Sequence, residues 1–262
     1  MTISTAFLWL SPLVLQVWLL VLLVRRQVLK SFPFFTTYTA FAIVAEAVKF
    51  FVFHLHVSVD TNIHIFVVAE TIYAVLGFLA IYEIFRHIFS DFYRIGWFRF
   101  FLPGIGLLML VASVLIAEVR PPVQASRFLA TVFILEIGVR CLQLGMFFLI
   151  LILAKAYNQR RRYTFGVTVG FGVSAFGILF TIVARSEFGT KYAYLLTFLP
   201  SVSYLIAVLI WLAAFWRPEP NPNGDARLPL TPEFFIEQIR RYKQHAKDVI
   251  RPWFRFIYSG FF

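Results

Sequence analysis

The sequence predicts an all-α integral membrane protein: a seven-transmembrane-helix bundle, N-terminus outside and C-terminus inside, followed by a cytoplasmic amphipathic C-terminal helix. Three observations predict it. The 262 residues are 60% hydrophobic with a mean hydropathy of +0.80, and only 14% are charged, whereas soluble domains are about half apolar and about a quarter charged. The apolar residues gather into runs of about 20, the length that crosses a bilayer as a helix. The basic residues fall on alternate connections between those runs. A formal net charge of +11, from 24 Lys and Arg against 13 Asp and Glu, would suggest a nucleic-acid surface in a soluble protein. Here it marks the cytoplasmic loops, and nucleic acid needs no part in it. The composition excludes an ordinary soluble enzyme, a disordered tail and a secreted disulfide scaffold. The single cysteine, Cys141, permits no internal disulfide and no cysteine metal cluster.

Seven spans are expected, at about residues 5–24, 33–56, 63–85, 100–118, 127–154, 164–184 and 193–216. The first reads as a retained span, because Arg25, Arg26 and Lys30 follow it and no Lys or Arg precedes it, the reverse of a signal peptide's charge order. Pro33 and Pro103 stand near the starts of spans two and four, where a missing N–H costs little. Pro12 and Pro200 lie inside spans one and seven and are expected to kink them. Span six carries Gly166, Gly170 and Ser174 at four-residue spacing, a stripe that lets another helix approach closely. Packing within the bundle is the preferred reading of that stripe; a membrane-protein partner is the other. With Lys49 and Arg140 set aside inside spans, 18 basic residues fall on one side and four (Arg120, Arg127, Arg185, Lys191) on the other. The positive-inside rule then gives N-out and C-in.

Residues 1–217 therefore form the bundle, and residues 218–232, rich in Pro and Asn, form a cytoplasmic linker. Residues 233–262 form a basic, aromatic-ended tail. Thr231-Pro232-Glu233 has the pattern of a helix start. Phe235, Ile239, Tyr242, Ala246 and Val249 then share a face, with Arg240, Arg241, Lys243 and Lys247 mostly off it, and Trp253 and Arg255 near the end. Such a segment suits the inner membrane surface, where each Lys or Arg contributes ~1 kcal/mol against anionic lipid. Docking on a partner protein is the alternative. The expected location is a plasma or inner membrane.

Ionisable residues inside a span need a reason, since each costs about 2.5–3.5 kcal/mol at a helix centre. Span two holds Glu46 and Lys49, one turn apart; span five holds Glu136 and Arg140, then Gln143; span three holds Glu70 and, near its inner end, Glu83. If spans two, three and five adjoin, three carboxylates and two cations meet in the outer half of the bundle. Glu70, with no basic residue one turn away in its own helix, is the first candidate for a ligand-contacting or titrating group. An interhelical salt-bridge network that only fixes packing is the competing explanation. His54, His56, Asp60 and His64 near the turn between spans two and three are ligand types that suit zinc, copper or iron. Their spacing fits no standard metal motif, so a hydrogen-bonded or interfacial group is expected.

No motif implies a cofactor or an enzyme. Span seven has no lysine for a retinal Schiff base, and Gly172-Val173-Ser174-Ala175-Phe176 lacks the closing glycine of a nucleophile elbow. Three functions remain. The leading one is a sensor or receptor-like module binding a small ligand at the outer charged cluster. The others are a proton-coupled secondary transporter using Glu46 and Glu70, and a structural or accessory subunit of a larger membrane complex.

Overall fold

A computed structural model describes residues 3–54, 59–89, 93, 96–119, 127–157, 162–188, 192–218 and 240. These residues form an all-helical, membrane-embedded protein with seven α-helices: α1 (Ile3–Arg25), α2 (Pro33–His54), α3 (Val59–Ile88), α4 (Phe101–Val119), α5 (Arg127–Tyr157), α6 (Arg162–Phe188) and α7 (Ala193–Trp216). Six of them, α2 to α7, are long and apolar enough to cross a membrane; in α1 the corresponding apolar stretch is the shorter Ser11–Arg25. The predicted spans and the helices coincide to within a few residues, because an apolar run in lipid can satisfy its backbone hydrogen bonds only within itself, as a helix.

The helix ends follow from local chemistry. α1 stops where Gln27 adopts φ 54, a left-handed conformation that ends the helix, and the Gln27 amide donates to Val24 O at 3.0 Å. Pro33 opens α2, and the next two amides, Phe34 N and Phe35 N, donate to the Glu83 carboxylate of α3 at 3.3 and 3.0 Å. Glu83 is thus an N-terminal cap supplied from another helix, which is why a carboxylate is tolerated there. Pro12 and Pro200 sit inside α1 and α7, and both helices continue through them.

Packing closes a ring. α1 lies against α2, α2 against α3, α3 against α5, α5 against α6, α6 against α7, and α7 returns to α1. α4 stands outside it, against α5 and the edge of α3. Burial follows this order: 56% of the apolar span of α6 is buried within the protein, against 11% for α4, whose Leu107, Leu108, Leu115 and Ile116 point outward.

Small residues hold the tightest seam, α6 against α7. A methyl group on Gly166 would fall on Ala214, one on Gly170 on the Trp211 indole, and one on Gly177 on Ser203. The Trp211 indole N–H donates to Val167 O at 3.1 Å across the same seam. The glycines on this face of α6 are therefore packed against α7 of the same chain. Ser174 departs from the stripe and faces the interior of the ring instead. Toward the end of the ring where α2 and α6 start and α7 stops, Phe35, Phe171 and Trp211 pack edge to face with centroids 5.2–5.9 Å apart, and the Tyr38 ring joins them 5.2 Å from Phe171. Of the tail singled out in the sequence, Arg240 alone is described, as an exposed helical residue; Arg241, Lys243, Lys247, Trp253, Arg255 and most of the linker lie outside the described residues.

Candidate functional site

Between the ring helices lies an open cavity of about 300 Å³ with charged and hydroxyl groups in its wall. Each ring helix contributes to its wall: Pro12 from α1, Tyr38, Glu46 and Lys49 from α2, Glu70 and Tyr73 from α3, Glu136 and Arg140 from α5, Ser174 and Ile178 from α6, and Pro200, Ser201 and Tyr204 from α7. All five charged residues predicted from the sequence are brought together here. Spans two, three and five do adjoin, which was the condition for the cluster.

The charges form two groups. Lys49 Nζ lies 3.3 Å from Glu46 Oε1 and 3.4 Å from Glu70 Oε1, so one ammonium joins carboxylates of α2 and α3. The Phe66 and Tyr73 rings stand 5.7 and 5.5 Å from the same ammonium and add cation–π attraction. Glu70 is therefore paired: its partner comes from the neighbouring helix, which the absence of a basic residue in its own helix concealed. In the second group Arg140 meets Glu136 at 3.2 Å and donates to Gln143 Oε1 at 3.3 Å. Tyr38 lines the cavity beside this second group. The side chains of Glu70, Glu136 and Arg140 are only 13%, 17% and 12% exposed, so these charges face the interior rather than the lipid.

Two features give the cavity spare binding capacity. Its wall holds Glu46, Glu70 and Glu136 against Lys49 and Arg140, one carboxylate in excess when all are ionised. Second, Ser174 Oγ and Arg140 Nε are buried with no hydrogen-bond partner among the described residues. A buried polar atom left without a protein partner is a place for water or ligand, because an unmet hydrogen bond costs about 1–3 kcal/mol.

Sequence reasoning missed the tyrosines. Tyr38, Tyr73 and Tyr204 line the cavity with hydroxyls, and Gln16 of α1, almost fully buried, donates its amide to the Tyr204 hydroxyl. For two of them the signal was depth: tyrosines of interface belts sit at span ends, whereas Tyr73 and Tyr204 stand near the middle of theirs; Tyr38, close to the start of α2, gave no such signal. Pro12 and Pro200 were read only as kinks, and Ser174 only as packing.

The histidine group is not assembled by what is described. His56 lies outside the described residues, as do the side chains of His54 and Asp60, while His64 is exposed on α3. Among the described residues no three His, Cys, Asp or Glu are placed to hold a metal ion. Comparison with family models, with curated proteins and with solved structures found no match to this chain. The class defined by fold and site is therefore a polytopic helical membrane protein with a charged interior cavity.

Proposed function

We propose that the chain is a seven-span sensor or receptor-like membrane protein, N-terminus outside, whose ring cavity binds a small ligand bearing a positive charge. The observation that carries this reading is the meeting of all five intramembrane charges at one cavity with a carboxylate in excess. A salt-bridge network serving packing alone needs neither a cavity at its centre nor unpartnered donors beside it. A volume of about 300 Å³ suits a ligand at the small end of those bound by proteins. An ammonium group is recognised there by Glu46 and Glu70 with the faces of the tyrosines, and Arg140 Nε with Ser174 Oγ is free to hold an acceptor on the same molecule.

The orientation is supported by charge. Arg25, Arg26, Lys30, Arg86, Arg99, Arg162 and Arg217 share one end of the helices, and Arg185 stands at the other. With the N-terminus outside, as proposed, the cavity lies in the outer half and the Phe35–Phe171–Trp211 layer between it and the inner side. The packed aromatic layer favours sensing over transport, since transport requires a path through it.

The test is a thermal-shift screen of the purified protein against primary amines, quaternary amines and amino acids. At least one class raises Tm, and Glu70→Gln abolishes the shift while expression and elution stay unchanged. A flat response across the panel, or a shift indifferent to Glu70→Gln, overturns the reading. Proton-coupled transport is favoured by one observation: Lys49 of α2 pairs with Glu70 of α3, so protonating Glu70 would loosen α2 from α3. Substrate-driven proton uptake in proteoliposomes, lost in Glu70→Gln, would establish it in place of sensing.

A further inference from the structure

A second cavity, of about 780 Å³, opens at the other end of the helices from the charged ring site. It lies where the α1–α2 connection meets the end of α3 and the start of α4. Three cations from three separate segments surround it: Lys30, Arg86 and Arg99. Ser31, Tyr82 and Tyr93 add hydroxyl groups. We propose that this cavity is a binding site for a phosphate group.

Glu83 is the carboxylate in the described part of this wall, and both its oxygens are engaged, by Phe34 N at 3.3 Å and Phe35 N at 3.0 Å. Its hydrogen-bonding capacity is thus used at the start of α2, and its single charge leaves the three cations of the wall in excess. An anion settles among Lys30, Arg86 and Arg99 instead. Two guanidinium groups offer paired N–H donors that match phosphate oxygens, and the lysine adds a compact charge. Arg99 is held with its guanidinium 4.7 Å from the Phe100 ring. That stacking restricts the side chain while leaving its edge donors to a ligand. Burial, with the Tyr82 phenol beside it, pushes the Tyr93 phenol above its ordinary range, so it stays a neutral O–H donor. A cavity of this size holds a glycerol phosphate or similar group, and not only a bare ion.

Phosphate can come from a lipid headgroup or from a soluble phosphate ester, and one experiment separates them. The full-length protein in neutral detergent is titrated with dioctanoyl phosphatidic acid, glycerol 3-phosphate and inorganic phosphate, with dioctanoyl phosphatidylcholine as reference. The phosphomonoester lipid binds more tightly than the choline lipid. Each cation contributes about fivefold, so Arg86→Gln with Arg99→Gln weakens binding about 25-fold. Arg25→Gln, at the same end but outside the cavity, changes it less than twofold. Competition by glycerol 3-phosphate at equal concentration assigns the site to soluble phosphate; binding by the lipid alone assigns it to a headgroup. The proposal is overturned if phosphatidic acid shows no preference over phosphatidylcholine, if the double variant binds like the parent, or if Arg25→Gln costs as much as either cavity arginine. Arg86 and Arg99 are both exposed, so the substitutions leave the packed core untouched.

Discussion

Lys49 binds two carboxylates on two helices, and this inequality has a measurable consequence. Lys49→Gln leaves Glu46 and Glu70 facing each other with their shared cation gone. Removing one member of a fully buried pair costs about 3–5 kcal/mol. The Lys49 side chain is 25% exposed, so ~2 kcal/mol is expected. Glu46→Gln is milder, under ~1 kcal/mol, because Lys49 keeps Glu70 and the rings of Phe66 and Tyr73. Thermal unfolding of the three proteins in the same detergent checks the order. A larger loss in Glu46→Gln than in Lys49→Gln would mean that the α2–α3 link is not what the ammonium supplies. The two charged pairs themselves were legible in the sequence, since i,i+3 and i,i+4 spacing fixes them within a helix. The Lys49–Glu70 contact was not, because it depends on how α2 and α3 are rotated against each other.

Along the helices, α6 and α7 meet through glycines, and α5 carries a glycine that meets nothing. A Cβ on Gly170 collides with the Trp211 indole, which is itself tied to Val167 O. Gly170→Ala must push the two helices apart or break that hydrogen bond, at a cost of about 1–3 kcal/mol. Gly145 is exposed on α5, with no atom within 4 Å of an added Cβ. Gly145→Ala is therefore neutral or stabilising by up to ~1 kcal/mol, the helix-propensity difference. Paired melting curves test this, and equal effects of the two substitutions would contradict the close seam. The four-residue spacing of the small residues was readable, but the residue they meet was not. Trp211 opposite Gly170 is a matter of register between two helices that the sequence lists as separate runs. Glu83 shows the same limit. It read as one more intramembrane charge until the start of α2 was seen to lie against it.

For the protein entire, the arrangement of charge predicts its direction in the membrane. A fluorescent protein that matures only inside, fused after Arg217, is expected to fluoresce, and a phosphatase active only outside is expected to be silent at the same point. The same phosphatase fused at Val119, between α4 and α5, is expected to be active. The opposite pattern would invert the topology and place the charged ring cavity in the inner half. The ring, α1–α2–α3–α5–α6–α7, follows the order of the spans, but nothing in that order marks α4 as the one left outside. Lipid is as apolar as any buried leucine, so hydropathy does not tell a lipid-facing helix from a packed one.

The sequence by itself determined the class of protein, the positions of its helices to within a few residues, and the charged residues that set its interior apart. It could do so because these are local properties: an apolar run must close its own hydrogen bonds in lipid, and a charge inside such a run is costly wherever it points. Only the tertiary structure decided that the five charges share one cavity and that tyrosines complete its wall. It also decided that Glu70 has a partner, Glu83 caps a helix and the Gly stripe is filled by α7. Each of these depends on the rotation and register of one helix against another. In a membrane those are set by side-chain shape and polar pairing across the seam, which neither hydropathy nor charge counts record.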